Sequence, residues 1–192
     1  MEIVDLTLPL EDRMKVYPGD PEVEVRRWID ITEAGYTLNV LRLGEHTGTH
    51  VDAPAHVIKD GKTVDELPLD AFMGEGVAVD VGKGDGPVAP REVPEGLGGR
   101  IVLFAGSREL SVGAAEKLAE QGVRAVGVET ASVGSLEVHR VLLGAGIPVF
   151  ENLTNVGRLV GKRFVFVGLP LRIRGGSGSP VRAVAVLRFP FP

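Results

Sequence analysis

The chain has 192 residues, 44% hydrophobic and 24% charged, which suits one soluble domain over 1–192 with a substantial apolar core. Its net charge of −5 and pI near 5.4 argue against a nucleic-acid partner, which needs a basic face. There is no cysteine, so disulfides, thiol catalysis and cysteine–zinc sites are excluded.

The opening stretch, "MEIVDLTLPL", carries Glu2 and Asp5 and no basic leader, so no signal peptide is expected and the chain reads as cytoplasmic. "EIVDLTL", "EVEVRRWID" and "YTLNVLRLGEH" alternate like strands, the last running straight into "HTGTHVDAPAH" at 46–56. "GEGVAVDVG" is a strand ending in the turn-rich "GKGDGPVAP", and "GRIVLFAG" reads as a buried strand. "SVGAAEKLAEQG" predicts a helix with Ser111 as N-cap and Gly122 as stop signal. "VRAVGVET" is a short buried strand, "SLEVHRVLLGAG" a second helix and "IPVFENL" a further strand. "RFVFVGLPLRIRGGSGSPVRAVAVLRF" predicts two strands joined by a glycine-serine loop. The longest apolar run, "VLLGAGIPVF", is half the roughly 20 residues that span a bilayer, so no membrane partner is expected. The fold class is α/β, a mixed sheet with a few packed helices. Asparagine and glutamine occur only as Asn39, Gln121, Asn152 and Asn155, which fits a heat-adapted source and a GC-rich genome equally well.

Of four histidines, three fall in the eleven residues 46–56, with an aspartate among them. His46 and His50 have the spacing of a helical zinc motif, but Thr47, Gly48 and Thr49 are poor helix formers and the glutamate of that motif is missing. An extended backbone instead puts 46, 50, 52 and 56 on one face. A straight strand would spread them over roughly 33 Å, so the backbone must fold back, and Gly48 and Pro54 stand where it can. Three imidazoles and a carboxylate at forced bends favour a metal cradle over a bare surface loop, and a sulfur-free donor set suits zinc or manganese. His139, on the second predicted helix, reads on its own as a core histidine, and Glu151 as a solvated strand end. No G-x-S-x-G nucleophile elbow is present, and "GRLVGK" lacks the spacing and hydroxyl of a phosphate loop.

"HTGTHVDAPAH" resembles the H-x-G-T-H-x-D-x-P-x-H signature of the cyclase family of metal-dependent hydrolases, which includes the bacterial arylformamidases. "VDLTLPL" with "VYPGDP", "GVRAVGVETASVGS" with "IPVFENL", and "LPLRIRGGSGSPVRAVAV" resemble the family's N-terminal, central and C-terminal segments. The resemblance implies a swivelling β/β/α fold, assembled as a homodimer or homotetramer, and two divalent metal ions, zinc or else manganese. His46, His50 and Asp52 would hold one ion, with Asp52 bridging to a second completed by His139 and Glu151. His56 would be the proton donor and acceptor, and Tyr17, where those formamidases carry tryptophan, would contact the substrate. Gly134 stands where the family commonly has aspartate. The implied activity is hydrolysis of a small aryl formamide such as N-formylkynurenine. The alternatives are a cyclic-amide (isatin-type) hydrolase and an inactive metal-binding member.

Overall fold

The computed structural model describes residues 1–82 and 84–187. In chain order the elements are strand β1 (Glu2–Asp5), β2 (Glu24–Ile29), helix α1 (Ile31–Ala34), β3 (Leu38–Arg42), β4 (His50–Asp52), β5 (Met73–Gly82), β6 (Ile101–Gly106), α2 (Val112–Glu120), β7 (Ala125–Val128), α3 (Leu136–Gly144), β8 (Val149–Glu151), β9 (Phe164–Val167), β10 (Gly178–Pro180) and β11 (Val184–Leu187). Nine strands form one sheet in the order β1-β11-β9-β5-β6-β7-β8-β4-β10, and β2 and β3 pair separately as a hairpin.

The centre of the sheet, β5-β6-β7-β8, is parallel, with α2 and α3 as the crossovers of the last two steps. Both helices start where a serine side chain satisfies a free backbone donor: Ser111 accepts from the Ala114 N–H and Ser135 from the Val138 N–H. Gly122 ends α2 at φ +65°, as the stop signal predicted. Alternation splits β6 between two cores. Ile101 and Leu103 pack with Phe150, Phe164 and Phe166 inside the curled sheet. Val102 and Phe104 pack under the helices with Ala114, Leu118, Leu142 and Leu143. The result is the expected β/β/α layering: sheet curled over sheet on one side, helices on the other.

Two expectations need correction. Strand pairing in "EIVDLTL" stops at Asp5, because Thr7 only bridges to Leu153 and its hydroxyl turns to the Ala183 carbonyl. The C-terminal segment holds three strands rather than two. β9 and β11 do pair antiparallel, but the glycine-serine stretch between them is itself β10, laid along β4. A small-residue strand fits there because Gly178 lies against both the Val51 carbonyl and the His46 ring. Residues 188–189 of the expected last strand lie outside the described residues.

Candidate metal centre

Pleat and register assemble the centre. His50 and Asp52, two residues apart on β4, project from one face, while Val51 between them is in the core. In the β4–β8 ladder His50 faces Glu151, and in the β4–β10 ladder Asp52 faces Gly178. Gly48, at φ +61°, turns the preceding chain back so that His46 Nδ1 comes to 2.7 Å from Asp52 Oδ1. α3 delivers His139, whose Nε2 lies 3.0 Å from Glu151 Oε1 and 3.6 Å from Asp52 Oδ2. His46, His50 and Asp52 therefore converge as one donor group, and Asp52, His139 and Glu151 as another, with Asp52 in both.

The outer nitrogens of two rings are already engaged. His50 Nδ1 lies 2.8 Å from the Gly48 carbonyl and His139 Nδ1 3.1 Å from the Ser135 carbonyl. A carbonyl can only accept, so each Nδ1 carries the hydrogen and each Nε2 turns inward toward carboxylate oxygens. Asp52 is 1% exposed and Glu151 5%, a costly burial for two carboxylates. Glu151 Oε1 is stabilised by the Val133 N–H at 2.6 Å. Asp52 Oδ2 is fully buried and has no hydrogen-bond partner among the described residues. Inward nitrogen donors, buried carboxylates and an orphaned oxygen are what a divalent cation requires, and the residues fit one.

The electrostatics agree. Burial disfavours a charged His50, yet Asp52 and Glu151 outweigh it and push its pKa up to about 10. His139 is likewise raised by Glu151 against the opposing effect of burial. Burial pushes the carboxylates up, but His46 and His50 hold Asp52 well below the usual range, and His139 and His50 do the same for Glu151. The cluster is built to hold positive charge.

His56 stands apart from these donors. It ends a 3-10 turn, Pro54–His56, whose backbone is packed so tightly by Gly61 that a Cβ there would lie 2.8 Å from the Pro54 carbonyl carbon. Its ring is 4.0 Å from that of His46 and 6.0 Å from that of His139, at the mouth of the centre. Burial lowers its pKa, so it is a neutral imidazole at neutral pH. It lines a cleft of about 960 Å³ that has the centre at its floor. Tyr17 lines the same cleft with Leu8, Met14, Val16 and Leu136, and is 63% exposed. Gly134 lines it too, at φ +153° and with the Leu110 carbonyl 2.7 Å from where a Cβ would stand.

Six of the seven candidate site residues thus line this cleft, and the seventh, Asp52, is buried against His46 and His50. Glu45 and Ser177 were missed: Ser177 Oγ lies 2.9 Å from His46 Nε2 and donates to Glu45 Oε2 at 2.8 Å. The only sequence signal for Ser177 was its place in a glycine-serine stretch that reads as a turn, and Glu45 carried none beyond adjacency to His46.

A curled mixed sheet with a buried histidine–carboxylate cluster at the floor of an apolar cleft defines a metal-binding protein with room for a small molecule. Residues 4–135 match the family model described as "Putative cyclase", and the chain belongs to this cyclase family. It is 36% identical to the kynurenine formamidase of Salinibacter ruber, over 96% of this chain and 97% of that protein. Its fold superposes on a potential metal-dependent hydrolase with cyclase activity at a TM-score of 0.85, with 26% identity and coverage of 98% and 99%. Isatin hydrolase A of Labrenzia aggregata, bound to benzyl benzoate, has the same fold, with a TM-score of 0.84, 23% identity and coverage of 98% and 94%. Among the described residues no helix is long and apolar enough to cross a membrane.

Proposed function

We propose that this single-domain chain is a metal-dependent hydrolase that cleaves the C–N bond of a small aryl formamide, N-formylkynurenine or a close analogue. The observation that carries this reading is Asp52, shared by two donor groups and holding a buried oxygen with no partner. His46, His50 and Asp52 would hold one divalent ion and Asp52, His139 and Glu151 a second, zinc in preference to manganese because three of the five donor residues are imidazoles. When bound, such ions acidify a water and polarise a carbonyl.

The chain's own residues supply the rest. The cleft wall of Leu8, Met14, Val16, Tyr17 and Leu136 is apolar and would seat an aryl group with the formamide toward the floor. His56, neutral and open to the cleft, would accept the proton of the attacking water. It would then pass that proton to the departing nitrogen as the C–N bond breaks, leaving formate and an aryl amine. Similarity to a formamidase along nearly the whole chain supports this substrate class over the cyclic amide isatin. We further propose a cytoplasmic homodimer or homotetramer. The β2–β3 hairpin supports association, since it leaves Trp28 and Leu41 more than half exposed.

Metal analysis of the purified protein, followed by turnover of N-formylkynurenine and isatin, tests the reading. Stoichiometric divalent metal with a higher kcat/KM for the formamide is expected. A protein that neither contains nor takes up metal would refute it.

A further inference from the structure

The glycine-serine stretch at 175–179 fits its place for reasons a turn does not need. Its backbone is held from several sides: Gly175 N–H donates to Asp65 Oδ1, Val64 N–H to the Gly176 carbonyl, and Ala53 N–H to the Ser177 carbonyl. At Gly178 a Cβ would lie 2.6 Å from His46 Cε1, so the His46 ring occupies the space a side chain would take. At Gly176 a Cβ would crowd Glu45 Oε1 at 3.0 Å. Between these glycines, Ser177 is pinned against both His46 and Glu45.

The protons in this chain of contacts can be placed. Glu45 Oε2 receives the Ser177 N–H at 2.9 Å and the Ser177 hydroxyl at 2.8 Å. A carboxylate only accepts, so the single hydroxyl proton of Ser177 points to Glu45. Ser177 Oγ, 2.9 Å from His46 Nε2, is then left to accept, and the His46 hydrogen sits on Nε2. His46 Nδ1 is then the nitrogen on the donor-group side of the ring, 2.7 Å from Asp52 Oδ1. His50 and His139 are fixed by backbone carbonyls through Nδ1, whereas His46 is turned the other way round and has a side chain to fix it.

We propose that Ser177, oriented by Glu45, is a positioning residue that holds the Nε2–H of His46, turns Nδ1 toward the His46–His50–Asp52 donor group and thereby sets metal affinity there. The proposal rests on the metal-centre reading above. It assigns to the C-terminal glycine-serine stretch a role in ligand orientation, and the glycines on either side are what allow the ring and the carboxylate to close on one hydroxyl.

The test is zinc titration of metal-stripped protein against a chromogenic chelator, for wild type, Ser177→Ala, Ser177→Thr and Glu45→Gln. Loss of an orienting partner of this kind costs on the order of 10- to 100-fold in affinity. Ser177→Ala is expected to lose that much at one of two sites, with the thermal transition of the metal-free protein retained. Ser177→Thr, which restores the hydroxyl, should recover most of it, and Glu45→Gln should fall between. Solvent exchange of the His46 Nε2 proton in the metal-free protein, resolved by imidazole ¹⁵N, reads the hydrogen bond to Ser177 directly, and with four histidines the signals are separable. That proton should be protected from exchange in wild type and exchange faster in Ser177→Ala. Equal zinc affinity in wild type and Ser177→Ala would overturn the proposal. If wild type itself takes up no zinc, the metal-centre reading fails instead. The proton exchange then decides the positioning role alone: an unchanged rate in Ser177→Ala overturns it, a faster one supports it.

Discussion

His50 and Glu151 stand directly opposite each other in the antiparallel β4–β8 ladder, with His50 Nε2 3.5 Å from Glu151 Oε2. Strand side chains alternate between faces, so slipping this register by one residue would turn every donor of β8 or β4 into the core. The apolar neighbours Val51 and Phe150, themselves partners in that ladder and both fully buried, prevent the slip. The same pairing that closes the core therefore sets the spacing of the proposed metal donors.

Removal of a donor should empty the site. His50→Ala is expected to lose bound metal and activity together, because binding energy is concentrated in the ligands themselves. Elemental analysis alongside the turnover assay checks this, and chelator treatment of wild type should reproduce the loss until metal is restored.

His56→Ala should behave differently. Its ring lies outside both donor groups, so metal content and fold should stay near normal while kcat falls on the order of a hundredfold or more. The deficit should shrink for activated aryl esters, whose leaving groups depart without a proton. Loss of metal in this variant would make His56 a ligand.

Tyr17 borders the cleft on its open side. Tyr17→Trp adds aromatic surface there and is expected to raise kcat/KM for N-formylkynurenine relative to formamide by roughly two- to tenfold, the scale of one aromatic contact. An equal effect on both substrates would place Tyr17 away from the aryl group.

Away from the centre, Arg108 grips Glu92 with contacts of 2.6 and 3.0 Å and also binds the Gly86, Pro87 and Val81 carbonyls, closing the loop after β5. The Arg108 hydrogen bonds, helped by the Ala89 N–H, hold Glu92 at a pKa of about 2, below its ordinary 4.5. A depressed carboxylate contributes stability that is fully present above its unfolded pKa and is lost as pH falls through the folded one. Between pH 4.5 and 2 the melting temperature should therefore drop less steeply in Glu92→Gln than in wild type, as thermal scans across that window would show.

Gly127, in the middle of β7, has Leu103 Cδ2 and Leu153 Cδ1 each 2.6 Å from where a Cβ would stand. Gly127→Ala should overpack this core and cost about 1–3 kcal/mol, measurable by denaturant unfolding. Stability unchanged by the substitution would mean that the two leucines repack freely.

The sequence determined more of this protein than its local patterns alone suggest. Hydrophobic periodicity located α2 and α3, with Ser111 as the cap of the first, and short apolar runs located β5 and β6, because these elements follow from interactions within a few residues. The bends at Gly48 and Pro54 followed too, since ligand chemistry and strand geometry could not otherwise both be met. His139 and Glu151 were different: an imidazole on a helix and a carboxylate at a strand end look ordinary until the resemblance to a family assigns them. Their meeting at 3.0 Å depends on how α3 packs back against β8, a tertiary arrangement that residue spacing alone does not show. The same holds for Ser177. Small residues in "GGSGS" have no side-chain pattern to reveal a strand, and only the β4–β10 ladder places that hydroxyl against His46. Local chemistry wrote the candidate donors into the chain and, through the Gly48 and Ser135 carbonyls, turned the His50 and His139 rings, while register between distant strands brought the donors together and set Ser177 against His46.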